Sequence, residues 1–337
     1  MRREWYWIAF VLVSVVLAIM SSSVDGAITV PPSGLIRKFY KLNKKCPDVE
    51  EYIKHQVKEF WIKDKTITPK LLRLLYSDCF VSGCDASILL DGPRSEKRAP
   101  QNARLGGFAF IDLIKEVVEK RCPGAVSCAD ILVLATRDAV HLAGAPSYPV
   151  RTGRKDGVVS NAAAVDLPSP SISLEASLSH FRSKGLDVLD MTTLLGAHTM
   201  GSTRCRYILD RLYNFNGTRR PDPNMDPSLV TELRKKCPSK KKKGQPEGLV
   251  YLNPENTSKY RFNNTYYSRV LRKSAVLGVD QQLLLGQDTK LISQEFDAGF
   301  EDWRKSWALS MNRMANIGVL TGEKGQIRRH CRFVNKD

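Results

Sequence analysis

The sequence predicts an all-α protein. Three observations carry that expectation: apolar residues recur at helical spacing through most of the chain, Thr, Pro and Gly stand where helices would start and stop, and strand signals are short and few. Composition agrees with a folded chain. Of 337 residues, 42% are hydrophobic and 26% charged, which excludes intrinsic disorder. No glycine period and no long heptads occur, so collagen-like and coiled-coil architectures are excluded too. A chain of this length builds one large or two modest domains, and no internal repeat divides it.

In chain order, residues 1–26 come first and read as a secretory signal. Arg2 and Arg3 precede an apolar run from Ile8 to Met20, followed by a small, polar stretch from Ser21 to Ala27. The run is short for a bilayer span, which needs about 20 apolar residues. Cleavage after Gly26 leaves 27–337 as the folded domain. Beyond it, Val49, Ile53, Val57 and Phe60 mark a helix over Val49–Ile62. Thr68 and Pro69 read as the cap and first residue of a helix continuing over Lys70–Phe80. Phe108–Lys120 is helical and ends at Pro123-Gly124; Cys128–Leu142 is a largely buried helix stopped by Gly144. An ordered long loop is expected over Gly144–Pro170. Leu174–Ser183 and Val188–Ala197 are further helices, and Gln294–Ile317 is one long helix or two.

Secretion changes how the eight cysteines read. In an oxidising compartment an even count points to four disulfides, with the pairing left open by spacing alone. A zinc site competes weakly, because no CxxC pair or clustered His accompanies them. Asn216, Asn256 and Asn263 each open an N-glycosylation sequon. The net charge of +17 in a secreted protein fits acidic polysaccharide or anionic surfaces better than nucleic acid. The run Lys240–Lys243 reads as a solvated loop.

Two stretches carry chemistry. Leu71–Ser87 reads LLRLLYSDCFVSGCDAS. Asp78, Asp85 and Ser87 offer hard oxygens around a tight turn at Gly83, and backbone carbonyls can complete the roughly six to eight ligands that Ca²⁺ prefers. A plain surface loop with two acids is the other reading. Asp190–Met200 ends an amphipathic helix with His198 among small neighbours, which let a flat cofactor approach the imidazole. A structural histidine is the other reading there.

Together the two stretches resemble the plant secretory haem peroxidases, class III. The resemblance runs from Leu35 to Cys331. It includes Asp91, Ser95-Glu-Lys97, Val126–Leu132, Ala135–Ala139, Leu142-Ala-Gly144, Gly153–Asp156 and Leu167-Pro168. Within that family the chain looks like a divergent isoform. The resemblance implies the haem-peroxidase fold, two helical halves around a b-type haem. It also implies bridges Cys46–Cys122, Cys79–Cys84, Cys128–Cys331 and Cys205–Cys237. His198 falls on the proximal haem ligand, and Asp280 on the acceptor that holds its other N–H. A distal Ca²⁺ site falls on Asp78, Val81, Gly83, Asp85 and Ser87, with Glu96 acting through water. Pro168 matches the residue beside which aromatic donors dock.

The match breaks at one consequential position. The family places Phe-His-Asp-Cys three residues after its distal Arg; here Arg73 is followed by Tyr76-Ser77-Asp78-Cys79. Ser77 therefore stands where the acid–base His belongs, and Asn102, which orients that His, is kept without it. Arg73 and Ser77 lie one helical turn apart and face the same side. Peroxide must lose a proton to bind iron and return one to the departing oxygen. An imidazole does both, whereas a hydroxyl is a poor base without an activator. His55, His141, His180 and His330 are elsewhere in the sequence. Tyr76 is a weak base through its high pKa. A proximal Ca²⁺ site implied at Thr199 has Asn253 and Asn263 where the family has Asp, so it is expected empty or weak. Met200 replaces a Phe and is expected to pack.

The expected function is peroxide-dependent, one-electron oxidation of small phenolic donors in the cell wall or apoplast, with slow peroxide activation and activity rising at alkaline pH. A haem-binding pseudoperoxidase without meaningful turnover is the alternative. A wall protein held only by its charge would leave Arg73, His198 and Asp280 without a reason to occur together. A monomer is expected, with no membrane span in the mature chain.

Overall fold

A computed structural model describes residues 34–240, 244, 246–255 and 259–336. The expected signal over 1–26, Asn256 and most of the Lys240–Lys243 run lie outside these residues. The described chain is mostly helical. Two short antiparallel ribbons accompany the helices: β1 (Ile36–Arg37) pairs with β2 (Arg151–Thr152), and β3 (Ser202–Arg204) with β4 (Leu249–Tyr251). Among the described residues no helix is long and apolar enough to cross a membrane.

The first half contains α1 (Phe39–Leu42), α2 (Val49–Lys63), α3 (Ile67–Cys79), α4 (Phe108–Arg121) and α5 (Cys128–Leu142). Helix α5 is buried from Cys128 to Val140 without a break, so it forms the rod against which α2, α3 and α4 pack. Its N-terminus is capped twice. Ser127 accepts the amide of Asp130, and Asp156 accepts the amides of Cys128 and Ala129 at 3.1 and 2.9 Å. Asp130 then pairs with Arg154 at 2.7 Å, both side chains fully buried, while Arg154 donates to the Ala315 carbonyl. That network ties the central rod to the C-terminal helix. Breaking one member would leave a buried charge unpaired, at about 3–5 kcal/mol.

The second half contains α6 (Leu174–Ser183), α7 (Val188–Leu195), α8 (Leu209–Tyr213), α9 (Pro227–Lys236), α10 (Thr265–Leu271), α11 (Gly278–Gln281), α12 (Gln287–Ala298) and α13 (Phe300–Met314). Here α7 packs between α12 and α13, and α10 lies against α12. An Asp187–Asp190 capping box starts α7. The helix tightens after Leu195 into a 3₁₀ turn, Gly196–Thr199. Gly196 is required there by a close approach. A Cβ on it would meet Trp303 Cζ2 and Tyr267 Oη, both at 2.6 Å.

Several expectations are refined. Helix α3 begins at Ile67, and Thr68 is not its cap: its hydroxyl donates to the Ala139 carbonyl, fastening α3 to α5. The expected long C-terminal helix is two, broken at the extended Gly299, and the first begins at Gln287. Gly144–Pro170 is an ordered loop interrupted by β2 and one 3₁₀ turn. The four implied bridges form, Cys46–Cys122, Cys79–Cys84, Cys128–Cys331 and Cys205–Cys237. One large apolar core spans both halves, and a smaller one lies around Cys205–Cys237, Leu212 and Leu233.

Candidate active site

Helix α3 positions the expected distal residues. Arg73 is exposed, between buried Leu72 and Leu74, with its Nη2 on the Gln101 carbonyl at 3.4 Å and its guanidinium 5.0 Å from the Tyr76 ring centre. One turn later Ser77 is fully buried and its Oγ has no hydrogen-bond partner. Asn102 donates to the Glu96 carbonyl at 2.9 Å, and its Oδ1 is likewise buried without a partner. Hydroxyl and amide oxygen are thus two unmet polar atoms on the distal side. Burial pushes the Tyr76 phenol up to about 12, with Arg73 opposing, so it stays protonated at ordinary pH.

A histidine remote in sequence lies beside the end of this helix. His180, from α6, stacks on Phe80 with ring centres 5.6 Å apart, and Phe80 in turn packs on Tyr76 at 4.5 Å. Its Nε2 is buried without a partner, and burial lowers its pKa, keeping the ring neutral. It faces Phe80 and makes no hydrogen bond to Ser77, so it is no substitute base in this arrangement. The loop carrying half-buried Pro168 runs along the same rim: Val165 accepts from Gln101, and the Asp166 charge reaches both Tyr76 and His180.

The acidic turn follows α3, closed by Cys79–Cys84. Gly83 has φ of +122°, and a Cβ there would lie 2.4 Å from the Gly318 carbonyl oxygen. Asp78 is fully buried and accepts the amides of Ala86 and Ile88; Asp85 accepts that of Ser87. Burial, and then its neighbour Asp85, push the Asp78 carboxyl well up. Burial raises Asp85 despite Arg328, and raises Glu96 to about 7. Neither Glu96 oxygen nor Ser87 Oγ has a hydrogen bond of ordinary geometry. Buried acids with unmet oxygens suit a hard cation. Among the described residues no three acidic, His or Cys side chains converge enough to hold a metal by themselves. Backbone carbonyls, such as those of Val81 and Gly83, would have to complete the set.

On the proximal side the histidine is bonded to a carboxylate. His198 Nδ1 lies 2.8 Å from Asp280 Oδ1, and the carboxylate must be the acceptor. With Nδ1 taken up by that carboxylate, Nε2 is the ring nitrogen left to ligate a haem iron. Tyr266, which the sequence reading missed, donates its hydroxyl to the same Asp280 oxygen at 2.9 Å. Burial, and then Asp280, push its phenol well up, so it keeps its proton. Tyr267 and the Trp303 indole donate to the Thr192 and Thr193 carbonyls at the end of α7. They brace the turn that carries His198, and nothing in their spacing announces it.

Thr199, Asn253 and Asn263 come together, as expected, but in a network of their own. Asn253 Nδ2 donates to Thr199 and Thr265, at 3.2 and 2.7 Å, and both hydroxyls donate to Asn263. The amide N–H aimed into the cluster is a poor fit to a cation, although the Asn253 Oδ1 is buried without a partner. Met200 is buried and packs in the core, as expected. Asn216 is exposed on a turn, whereas Asn263 is half-buried and bonded within the network.

Comparison with known proteins agrees with this geometry. A family model described as Peroxidase matches residues 53–299. "Probable peroxidase 61" of Arabidopsis thaliana is 61% identical over 326 residues, covering 95% of this chain and 96% of that protein. "Probable peroxidase 26" of the same plant is 60% identical, covering 88% and 89%. "Peroxidase 57" is 41% identical, covering 87% and 91%. The chain belongs to the plant class III peroxidase family and is a haem peroxidase.

Proposed function

We propose that this peroxidase binds a b-type haem through His198 Nε2 and oxidises small phenolic donors with hydrogen peroxide, with weakened peroxide activation because Ser77 stands in the acid–base position. The observation that carries this reading is the pairing of a complete His198–Asp280 dyad with an unpartnered Ser77–Asn102 distal side. When bound, the haem supplies the redox centre for reducing peroxide and oxidising donors one electron at a time. Asp280 fixes the His198 tautomer. Arg73 supplies positive charge where negative charge develops. Ser77 can share a hydrogen bond but cannot carry a proton out and back as an imidazole does, a loss on the order of 10²–10⁴-fold. Asn102 keeps its oxygen available for a donor.

The buried acids around Gly83 support a single Ca²⁺ held by Asp78, Val81, Gly83, Asp85 and Ser87, with Glu96 through water. The proximal network around Thr199, Asn253 and Asn263 supports none. Pro168, two residues after the Asp166 whose charge reaches Tyr76, is the donor-docking position. Residues 1–26 act as a secretion signal, and the mature, monomeric protein, +17 by sequence, meets acidic wall polysaccharide. The sequence resembles the divergent isoform peroxidase 29, while probable peroxidases 61 and 26, at 61% and 60% identity, serve as references for experiments.

Rapid mixing of the purified, haem-loaded protein with peroxide tests the reading. A slow spectral change that accelerates at alkaline pH, where peroxide arrives deprotonated, is expected. A fast change with a bell-shaped profile near pH 6 would refute weakened activation. No change at any pH would favour a haem-binding pseudoperoxidase, the reading that the missing base also supports.

A further inference from the structure

The geometry points to Tyr266 as a positioning residue that tunes the redox centre: it shares Asp280 Oδ1 with His198, and so limits how strongly that carboxylate pulls on the imidazole proton. The inference rests on the reading that His198 ligates the haem iron.

The two hydrogen bonds end on one oxygen, at 2.8 Å from His198 Nδ1 and 2.9 Å from the Tyr266 hydroxyl. Asp280 is 2% exposed, so solvent does not compete for that oxygen. A carboxylate accepting one donor in a buried site is a strong proton acceptor. A second donor on the same oxygen spreads its charge over two bonds and weakens each. The partner His198 then keeps more of its proton, becomes less imidazolate-like and donates less electron density through Nε2. Ligand basicity of this kind is set by the group behind the ligand, and it moves the potential of the metal.

The phenol is held for this role. Tyr266 is buried in α10, and its ring stands edge-on to Tyr267 with centres 4.9 Å apart. Its neighbour Tyr267 turns the other way and donates to the Thr192 carbonyl. Two adjacent tyrosines thus do different work: one braces the backbone of α7, and the other reaches the dyad. The backbone of α11 has bonds of its own, the amides of Val279 and Gln281 donating to the Pro170 and Leu277 carbonyls.

Full-length protein loaded with haem tests this in both directions. Tyr266→Phe removes the competing donor while leaving His198 on Asp280. It should lower the Fe(III)/Fe(II) potential by spectroelectrochemistry and raise the Fe–His stretching frequency of the ferrous protein. Fluorotyrosine placed at 266 is nearly isosteric and a stronger donor, and should shift both readouts the opposite way. A merely structural role predicts a loosened dyad in the Phe variant, with the Fe–His frequency falling. Shifts of the same sign in both variants, or none in either, overturn the inference. If Tyr266→Phe does not fold, the fluorotyrosine protein alone decides by the sign of its shift. A wild-type protein with no Soret band after hemin loading would overturn the haem reading itself, which a normal Soret with unmoved potentials would not.

Discussion

The distal and proximal sides each differ from what the resemblance implies, and the structure answers the two differences differently. On the proximal side, amides stand where carboxylates are expected, and they close a hydrogen-bond network with Thr199 and Thr265. On the distal side, Ser77 stands where an imidazole is expected, and both its hydroxyl and Asn102 Oδ1 are left buried without partners. Asparagine has the shape of aspartate and can both donate and accept, so neighbours can bond its N–H without an ion, as they do for Asn253 Nδ2. Serine is several atoms shorter than histidine, so the groups around it stay out of reach. The shape-preserving departure is absorbed only in part, since Asn253 Oδ1 is left unmet; the one that removes reach leaves Ser77 Oγ and Asn102 Oδ1 unmet, and such atoms would cost about 1–3 kcal/mol each if water never met them.

That contrast can be broken experimentally. The largest effect is expected from His198→Ala, which removes the proximal anchor; the purified variant should lose its Soret band on gel filtration after hemin loading. Ser77→His restores the missing reach and should speed the peroxide step on the order of 10²–10⁴-fold. No gain in stopped-flow would mean that more than the base is missing. Next comes calcium. The distal acids should hold a single tightly bound ion by metal analysis. Chelation should lower thermal stability by about 2.7 kcal/mol when free Ca²⁺ had stood near one hundred times its Kd. Two retained ions would show that the proximal amides bind metal after all. The smallest effect is expected from Gly196→Ala. Its Cβ would press on Trp303 and Tyr267 behind the His198 turn, lowering stability by about 1–3 kcal/mol in a thermal melt.

Much of the architecture was legible where period and length agreed. Cys128–Leu142 and Leu174–Ser183 have the bounds read from their apolar spacing and stop signals. Helices α8 and α11 were not legible, because segments as short as Leu209–Tyr213 and Gly278–Gln281 complete too little of a period. Pro227–Lys236 was overlooked although Asp226 caps it and Pro227 opens it, a signature that was there to be read. In the site, helix spacing put Arg73 and Ser77 one turn apart on α3, where Arg73 is exposed and Ser77 buried. His198 and Asp280, 82 residues apart, were paired only through resemblance.

What the sequence determined by itself are the properties that local chemistry dictates: a helical chain, oxidisable cysteines in even number, a turn rich in hard oxygens, and the absence of an imidazole at position 77. Only the tertiary structure decided which groups share an oxygen, which buried atoms go unmet, and that His180 rests on Phe80 rather than elsewhere. Those facts depend on distances between segments far apart in the chain. Such distances are set by how whole helices pack, and no residue's own preferences encode them.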